Sequence, residues 1–233
     1  MISAQDDKVE MTWIKICGMT NLEDALTAVD AGADAVGFVF YEKSPRNISV
    51  GAAREIVEKL PDGVEKVGVF VGESAEGLSS VAKRVGLTAV QFYHARGKSG
   101  LVDWAATSDE PRRKMIVAVQ GEKLVDGGVF ISDETKKNGY AMLIDSGSEN
   151  RPGGTGAIFD WEKCRGMVQG LGFSIPVIVA GGLTAENVGE AIQILKPWGV
   201  DVVSGVEAKP GKKDPEKVRA FVKAVRDADR KMS

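Results

Sequence analysis

Eight short apolar runs, rich in Val and Ile, recur along this chain and alternate with segments of helical spacing. They lie near residues 12–17, 33–40, 64–71, 88–92, 114–119, 140–145, 175–180 and 200–204. Over 233 residues the repeat averages about 29, enough for one strand and one helix per unit. A strand–helix alternation of this kind builds a parallel sheet covered by its crossover helices, and eight units close into a (β/α)8 TIM barrel. The rival, an open doubly wound sheet, usually carries G-x-G-x-x-G after its first strand, and Cys17-Gly18-Met19-Thr20-Asn21-Leu22 does not supply it. Helices are expected at Asn21–Ala31, Val50–Leu60, Ser74–Val85, Asp160–Gln169, Thr184–Leu195 and Pro215–Asp229. Asn21 ahead of Glu23 and Asp24, Thr184 ahead of Glu186, and Asp214 ahead of Pro215 supply start signals. Helical spacing is weak near 98–107 and 121–136, where Gly127-Gly128 interrupts it. Nothing between the units reads as a linker. One catalytic domain is expected over 11–233, after an extended or disordered stretch at 1–10.

Composition excludes several classes. A formal net charge of −3 gives no basic face for nucleic acid or an anionic membrane surface. No run approaches the roughly 18–20 apolar residues that span a bilayer. The polar, acidic start MISAQDDKVEM lacks the basic-then-apolar order of a secretory signal. Two cysteines, Cys17 and Cys164, make neither a disulfide framework nor a metal cluster. A reduced, cytoplasmic protein is expected, a monomer rather than a homodimer.

In such a barrel the chemistry sits at the carboxyl ends of the strands. The residues there include Cys17, the loop Tyr41 to Arg46, Gln91 to His94, Asp145, Gly181-Gly182 and Ser204-Gly205. The two late glycine turns suit phosphate, because backbone N–H groups at a tight turn bind an anion without a lysine; they also serve simply to turn the chain. Gly153-Gly154-Thr155-Gly156 adds either donors or a lid. Alternation along the first strand puts Lys15 and Cys17 on its inner face and Ile14 and Ile16 on its outer one. An ammonium beside a thiol raises the thiolate fraction above the few per cent found near neutral pH. The residues alone leave Cys17 open between a reactive and an inert core thiol, whereas Cys164, in an amphipathic segment, reads as core. Asp145 closes an apolar strand, so its carboxylate is either hydrogen-bonded for structure or functional. Arg46 either clamps a carboxylate bidentately or is a solvated charge. His94 is the only histidine, so no His-pair metal site can form. A thiol, a carboxylate and a phosphate site around one mouth suit acid–base chemistry on a sugar phosphate, and no metal or dinucleotide motif accompanies them.

The chain resembles the phosphoribosylanthranilate isomerase family of tryptophan biosynthesis. The resemblance rests on KICGMTNLEDA (15–25), AGADAVGFVFYEKSPRNIS (31–49), LIDS (143–146), GGTGAIFDW (153–161), VAGGLTAENV (179–188) and DVVSGVEAKPGKKD (201–214), in order and nearly end to end. It implies a barrel of the ribulose-phosphate-binding type and an Amadori rearrangement of N-(5-phosphoribosyl)anthranilate, without metal or cofactor and with only a small-molecule sugar phosphate as partner. By the same resemblance Cys17 is the base at C2 of the ribose and Asp145 the acid at the ring oxygen. Arg46 lies at the anthranilate carboxylate, Asp201 near the anthranilate, and Gly181, Gly182, Ser204 and Gly205 grip the phosphate. The related histidine-pathway aldose isomerase would end strands one and five in aspartates, whereas here they end in Cys17 and in VAVQG. A non-catalytic sugar-phosphate sensor would have no use for the pair Cys17 and Asp145. The chain departs from the family after strand four, where Gln91-Phe92-Tyr93-His94 replaces Gln-Leu-His-Gly and puts Tyr93 at the histidine position. That role passes to neither residue. The stretch 95–113 lacks the family pattern, and 1–10 extend beyond its usual start.

Overall fold

Side chains alternate along each strand between two apolar layers, and that alternation fixes the architecture. The computed structural model describes residues 11–93, 114–121, 141–146, 158–172 and 174–232. Within them lie β1 (Trp13–Cys17), α1 (Leu22–Asp30), β2 (Ala35–Phe40), α2 (Val50–Val57), β3 (Glu65–Val71), α3 (Ala75–Val85), β4 (Ala89–Tyr93), β5 (Lys114–Gln120) and β6 (Ala141–Asp145). The chain continues through α4 (Trp161–Gly172), β7 (Val177–Val179), α5 (Val188–Leu195) and β8 (Gly199–Val202). Next come a 3-10 turn (Ser204–Val206), a hairpin of β9 (Glu207–Lys209) and β10 (Lys212–Lys213), and α6 (Pro215–Met232). Strands β1 to β8 pair in parallel and in sequence order, and β8 pairs back to β1, so the sheet is a closed barrel.

Ile14 and Ile16 of β1, Val36 and Phe38 of β2, and Met142 and Ile144 of β6 face outward into the layer shared with the helices. Ala35, Val67, Ala89, Ile116, Ala141, Leu143 and Ile178 fill the interior, where small residues let eight strands close. Parity then carries the last inner position of several strands to the mouth: Cys17 after Lys15, Tyr93 after Gln91, Asp145 after Leu143, and Asp201 after Gly199.

The expected strands are all present within two or three residues at each end. Asn21, Ser49 and Ser74 cap their helices by accepting from Asp24 N, Ala52 N and Gly77 N, and Asp214 accepts from Glu216 N and Lys217 N at the start of α6. One helix starts late. Thr184–Asn187 forms a turn in which Asn187 Oδ1 accepts from Thr184 N at 2.8 Å and Asn187 Nδ2 donates to Gly182 O at 2.9 Å, so α5 begins only at Val188. The weakly helical stretches 98–107 and 121–136, and the N-terminal stretch 1–10, lie outside the described residues, apart from Gly121. At the amino end, α6 is bolted to β1: Thr12 Oγ1 donates to Asp229 Oδ1 at 2.5 Å and Arg226 Nη1 to Thr12 O at 2.6 Å. No helix among the described residues is long and apolar enough to cross a membrane.

Candidate active site

A cavity of about 400 Å³ opens at the carboxyl end of the strands, a size suited to a small organic ligand. Cys17, Arg46, Asp145, Gly181, Gly182, Asp201 and Ser204 all line it. Gly205 stands behind this lining: a Cβ there would drive into the Leu183 carbonyl, so it seats the turn after β8 against the loop after β7. His94 and Gly153 to Gly156 lie outside the described residues.

Cys17 is 3% exposed. It pairs in register with Gly37 of β2, and a Cβ on Gly37 would fall 2.5 Å from its sulfur, so the missing side chain makes the thiol's berth. Lys15, fully buried, donates from Nζ to Asp201 Oδ1 at 2.9 Å across the β1–β8 seam. Burial alone would pull the Lys15 ammonium down, but Asp201 and Cys17 together hold it above its ordinary value. Burial pushes the Cys17 thiol up; Lys15 pulls it back, Asp201 pushes it up again, and the balance stays above the ordinary value. Lys15 acts in the expected direction, but its charge is shared with Asp201 and burial outweighs it.

Arg46, in the loop after β2, is anchored by a partner that sequence reasoning missed. Its Nε and Nη2 donate to Glu207 Oε1 and Oε2 at 3.0 and 2.7 Å, a bidentate fork. Gly211 N and the fully buried Lys213 Nζ also donate to Glu207 Oε1, at 3.1 and 3.3 Å. Burial would raise the Glu207 carboxyl, but these donors overcome it and hold the group below the ordinary carboxylate range. The signal was in Lys209-Pro210-Gly211-Lys212, a turn dipeptide between polar residues, which reads as a hairpin that faces 207 toward 213.

Across the mouth, Tyr93 Oη donates to Asp145 Oδ2 at 2.7 Å. Burial first, then Asp145, pushes the phenol well above its usual value, so it stays protonated as a donor. At the rim, Gly181 and Gly182 have φ of +88° and +63°, and a Cβ on Gly181 would collide with Ser146. The turn at Ser204 lines the same cavity as this loop.

Residues 14–224 match the sequence model of the N-(5'phosphoribosyl)anthranilate (PRA) isomerase family. The chain belongs to this family. An N-(5'-phosphoribosyl)anthranilate isomerase of Pseudomonas fluorescens (strain Pf0-1) is 43% identical over 212 residues, 91% of this chain and 97% of the relative. One of Desulforudis audaxviator is 41% identical over 221 residues, 94% of this chain and all of the relative. The crystal structure of phosphoribosyl anthranilate isomerase from Thermotoga maritima superposes with a TM-score of 0.77 at 38% identity, over 93% of this chain and all of that one. A phosphoribosyl anthranilate isomerase in complex with reduced 1-(o-carboxyphenylamino)-1-deoxyribulose 5-phosphate superposes at 0.73 and 37% identity, with the same coverage. Like these relatives, the chain is an isomerase of tryptophan biosynthesis that converts N-(5-phosphoribosyl)anthranilate to 1-(2-carboxyphenylamino)-1-deoxyribulose 5-phosphate.

Proposed function

We propose that Cys17 and Asp145 carry this isomerisation as base and acid. The observation that carries the reading is their placement: a buried thiol at the end of β1 and a buried carboxyl at the end of β6 line one cavity with the glycine turn after β7.

Protonated Asp145 gives its proton to the ring oxygen as the C1–O bond breaks, and the anilino nitrogen forms C1=N. The Cys17 thiolate then takes the proton from C2; the electron pair becomes C1=C2 and the nitrogen recovers its own. Ketone formation moves the C2 hydroxyl proton off oxygen and adds a proton at C1. Two protons are removed and two delivered, so no redox cofactor or metal enters the balance. A thiol with a raised pKa is ionised less often, but its thiolate is the stronger base toward a carbon acid.

Gly181, Gly182 and Ser204 hold the phosphate through backbone N–H groups, with Gly205 supporting Ser204. Arg46 keeps Nη1 and the second hydrogen of Nη2 for the anthranilate carboxylate, while Glu207 fixes its plane. Asp201 borders the anthranilate and keeps Lys15 charged beside the thiol. Residues 11–233 act as one catalytic domain, in the cytoplasm and as a monomer. The monomer reading is supported by how few large apolar side chains are exposed among the described residues, namely Met11, Leu26, Ile158 and Met232.

Purified protein should isomerise N-(5-phosphoribosyl)anthranilate in chelator, without nucleotide, and the gene should restore growth to a tryptophan auxotroph lacking this step. Activity that depends on added metal would overturn the cofactor-free reading. Light scattering at twice the mass of one chain would overturn the monomer.

A further inference from the structure

Among the described residues, two buried side-chain polar atoms meet no hydrogen-bond partner, Gln91 Oε1 and Trp161 Nε1, and of these only Gln91 lines the active-site cavity. Gln91 is 1% exposed. Its neighbours in register are Val69 on β3 and Ile116 on β5, whose side chains cannot donate a hydrogen bond. Of the buried donors around the site, Lys15 is held by Asp201, Tyr93 by Asp145 and Lys213 by Glu207. A buried carbonyl with no donor is costly, and the cost is recovered when a ligand supplies one.

We propose that Gln91 is a substrate-binding residue whose carbonyl oxygen accepts a hydrogen bond from a hydroxyl of the substrate's sugar. The inference rests on the acid–base reading above. The phosphate and the carboxylate of the substrate are acceptors near neutral pH, so neither can satisfy Oε1. The substrate's donors are its sugar hydroxyls and the anilino N–H. Gln91 shares its strand and face with Tyr93, which holds the carboxyl assigned to the ring oxygen, so it lies on the sugar's side of the pocket. Arg46, assigned to the anthranilate, comes from the loop after β2 and is tied to the hairpin after β8, on the wall around β1. A site built to accept from a hydroxyl rejects the sugar that lacks it, so Gln91 also sets specificity.

The test begins with wild-type turnover. Without turnover the acid–base reading fails and this inference fails with it; with turnover, Gln91 is judged on its own. In Gln91→Met, kcat/KM should fall about tenfold to a hundredfold. Affinity for inorganic phosphate should be unchanged and the melting temperature should not drop, because the variant removes an unsatisfied buried acceptor. The deciding probe is the reduced form of 1-(2-carboxyphenylamino)-1-deoxyribulose 5-phosphate, alongside its analogues lacking the 2-, 3- or 4-hydroxyl. Wild type should lose about tenfold in affinity for one deoxy form. Gln91→Met should bind that form and the parent within about twofold of each other. Equal binding of parent and all three deoxy forms by wild type overturns the proposal, even if the variant does not fold. So does a Gln91→Met enzyme that keeps the wild-type discrimination, or one with wild-type kcat/KM.

Discussion

The two walls of the mouth are built on different terms. Around β1 and β8, charges interlock: Lys15 with Asp201 across the barrel seam, and Arg46, Lys213 and the Gly211 amide on Glu207. Around β4 and β6 the contacts are of another kind. Tyr93 donates to Asp145, and Gln91 Oε1 meets no protein donor among the described residues. A buried ion pair broken on one side leaves a charge without compensation, whereas a lost neutral hydrogen bond is a smaller matter. The first wall should therefore fail through stability and the second through chemistry.

The sharpest break is Glu207→Ala. It leaves fully buried Lys213 and nearly buried Arg46 without their acceptor, and urea unfolding should show a loss of about 3–5 kcal/mol. Adding Lys213→Met should recover part of it; a loss below about 1 kcal/mol would mean that the hairpin does not lock this wall. On the other wall, Tyr93→Phe removes one donor to Asp145. Stability should change by no more than about 1.5 kcal/mol, while kcat falls roughly fivefold to thirtyfold; the reverse pattern would erase the contrast.

Smaller still is the effect of Lys15 on the thiol. In a Cys164→Ala background, so that only Cys17 reports, alkylation at neutral pH should slow severalfold in Lys15→Met and quicken in Asp201→Asn. The opposite signs would show that the seam does not set the base. Last comes pH. Glu207 has its folded value below the ordinary 4.5, so its stabilising contribution is present above about 4.5 and is lost as pH falls through the folded value. Tyr93 has its folded value above 10.0, so its contribution is present below about 10 and is lost as pH rises through the folded value. The acid limb of a stability–pH profile should flatten in Glu207→Gln, and the alkaline limb in Tyr93→Phe.

Much of this was legible along the chain. Period-two alternation put Lys15 and Cys17 on the inner face of the first strand, and the rule that chemistry sits at the carboxyl ends of barrel strands put Cys17 and Asp145 at the mouth before any contact was known. Hidden from it were the partners. Lys15 and Asp201 are 186 residues apart and meet only because the barrel closes β8 onto β1; Arg46 and Glu207 are 161 apart, and Tyr93 and Asp145 are 52 apart. Periodicity reports the faces of one element, while closure and register decide which faces meet. The same limit explains the thiol: the helpful neighbour Lys15 was visible in sequence, but the competing carboxylate and the full burial were not. At α5 the error was local, because Asn187 diverts its side chain to Thr184 N and Gly182 O and holds the preceding turn out of the helix.

The central claim is that a thiol and a carboxyl at opposite sides of one mouth share the proton transfers. Its most direct test is kcat for N-(5-phosphoribosyl)anthranilate in Cys17→Ser and in Asp145→Ala, measured beside thermal melting to confirm the fold. Each substitution should lower kcat at least about 100-fold with melting near wild type. Wild-type turnover in either folded variant would contradict the account.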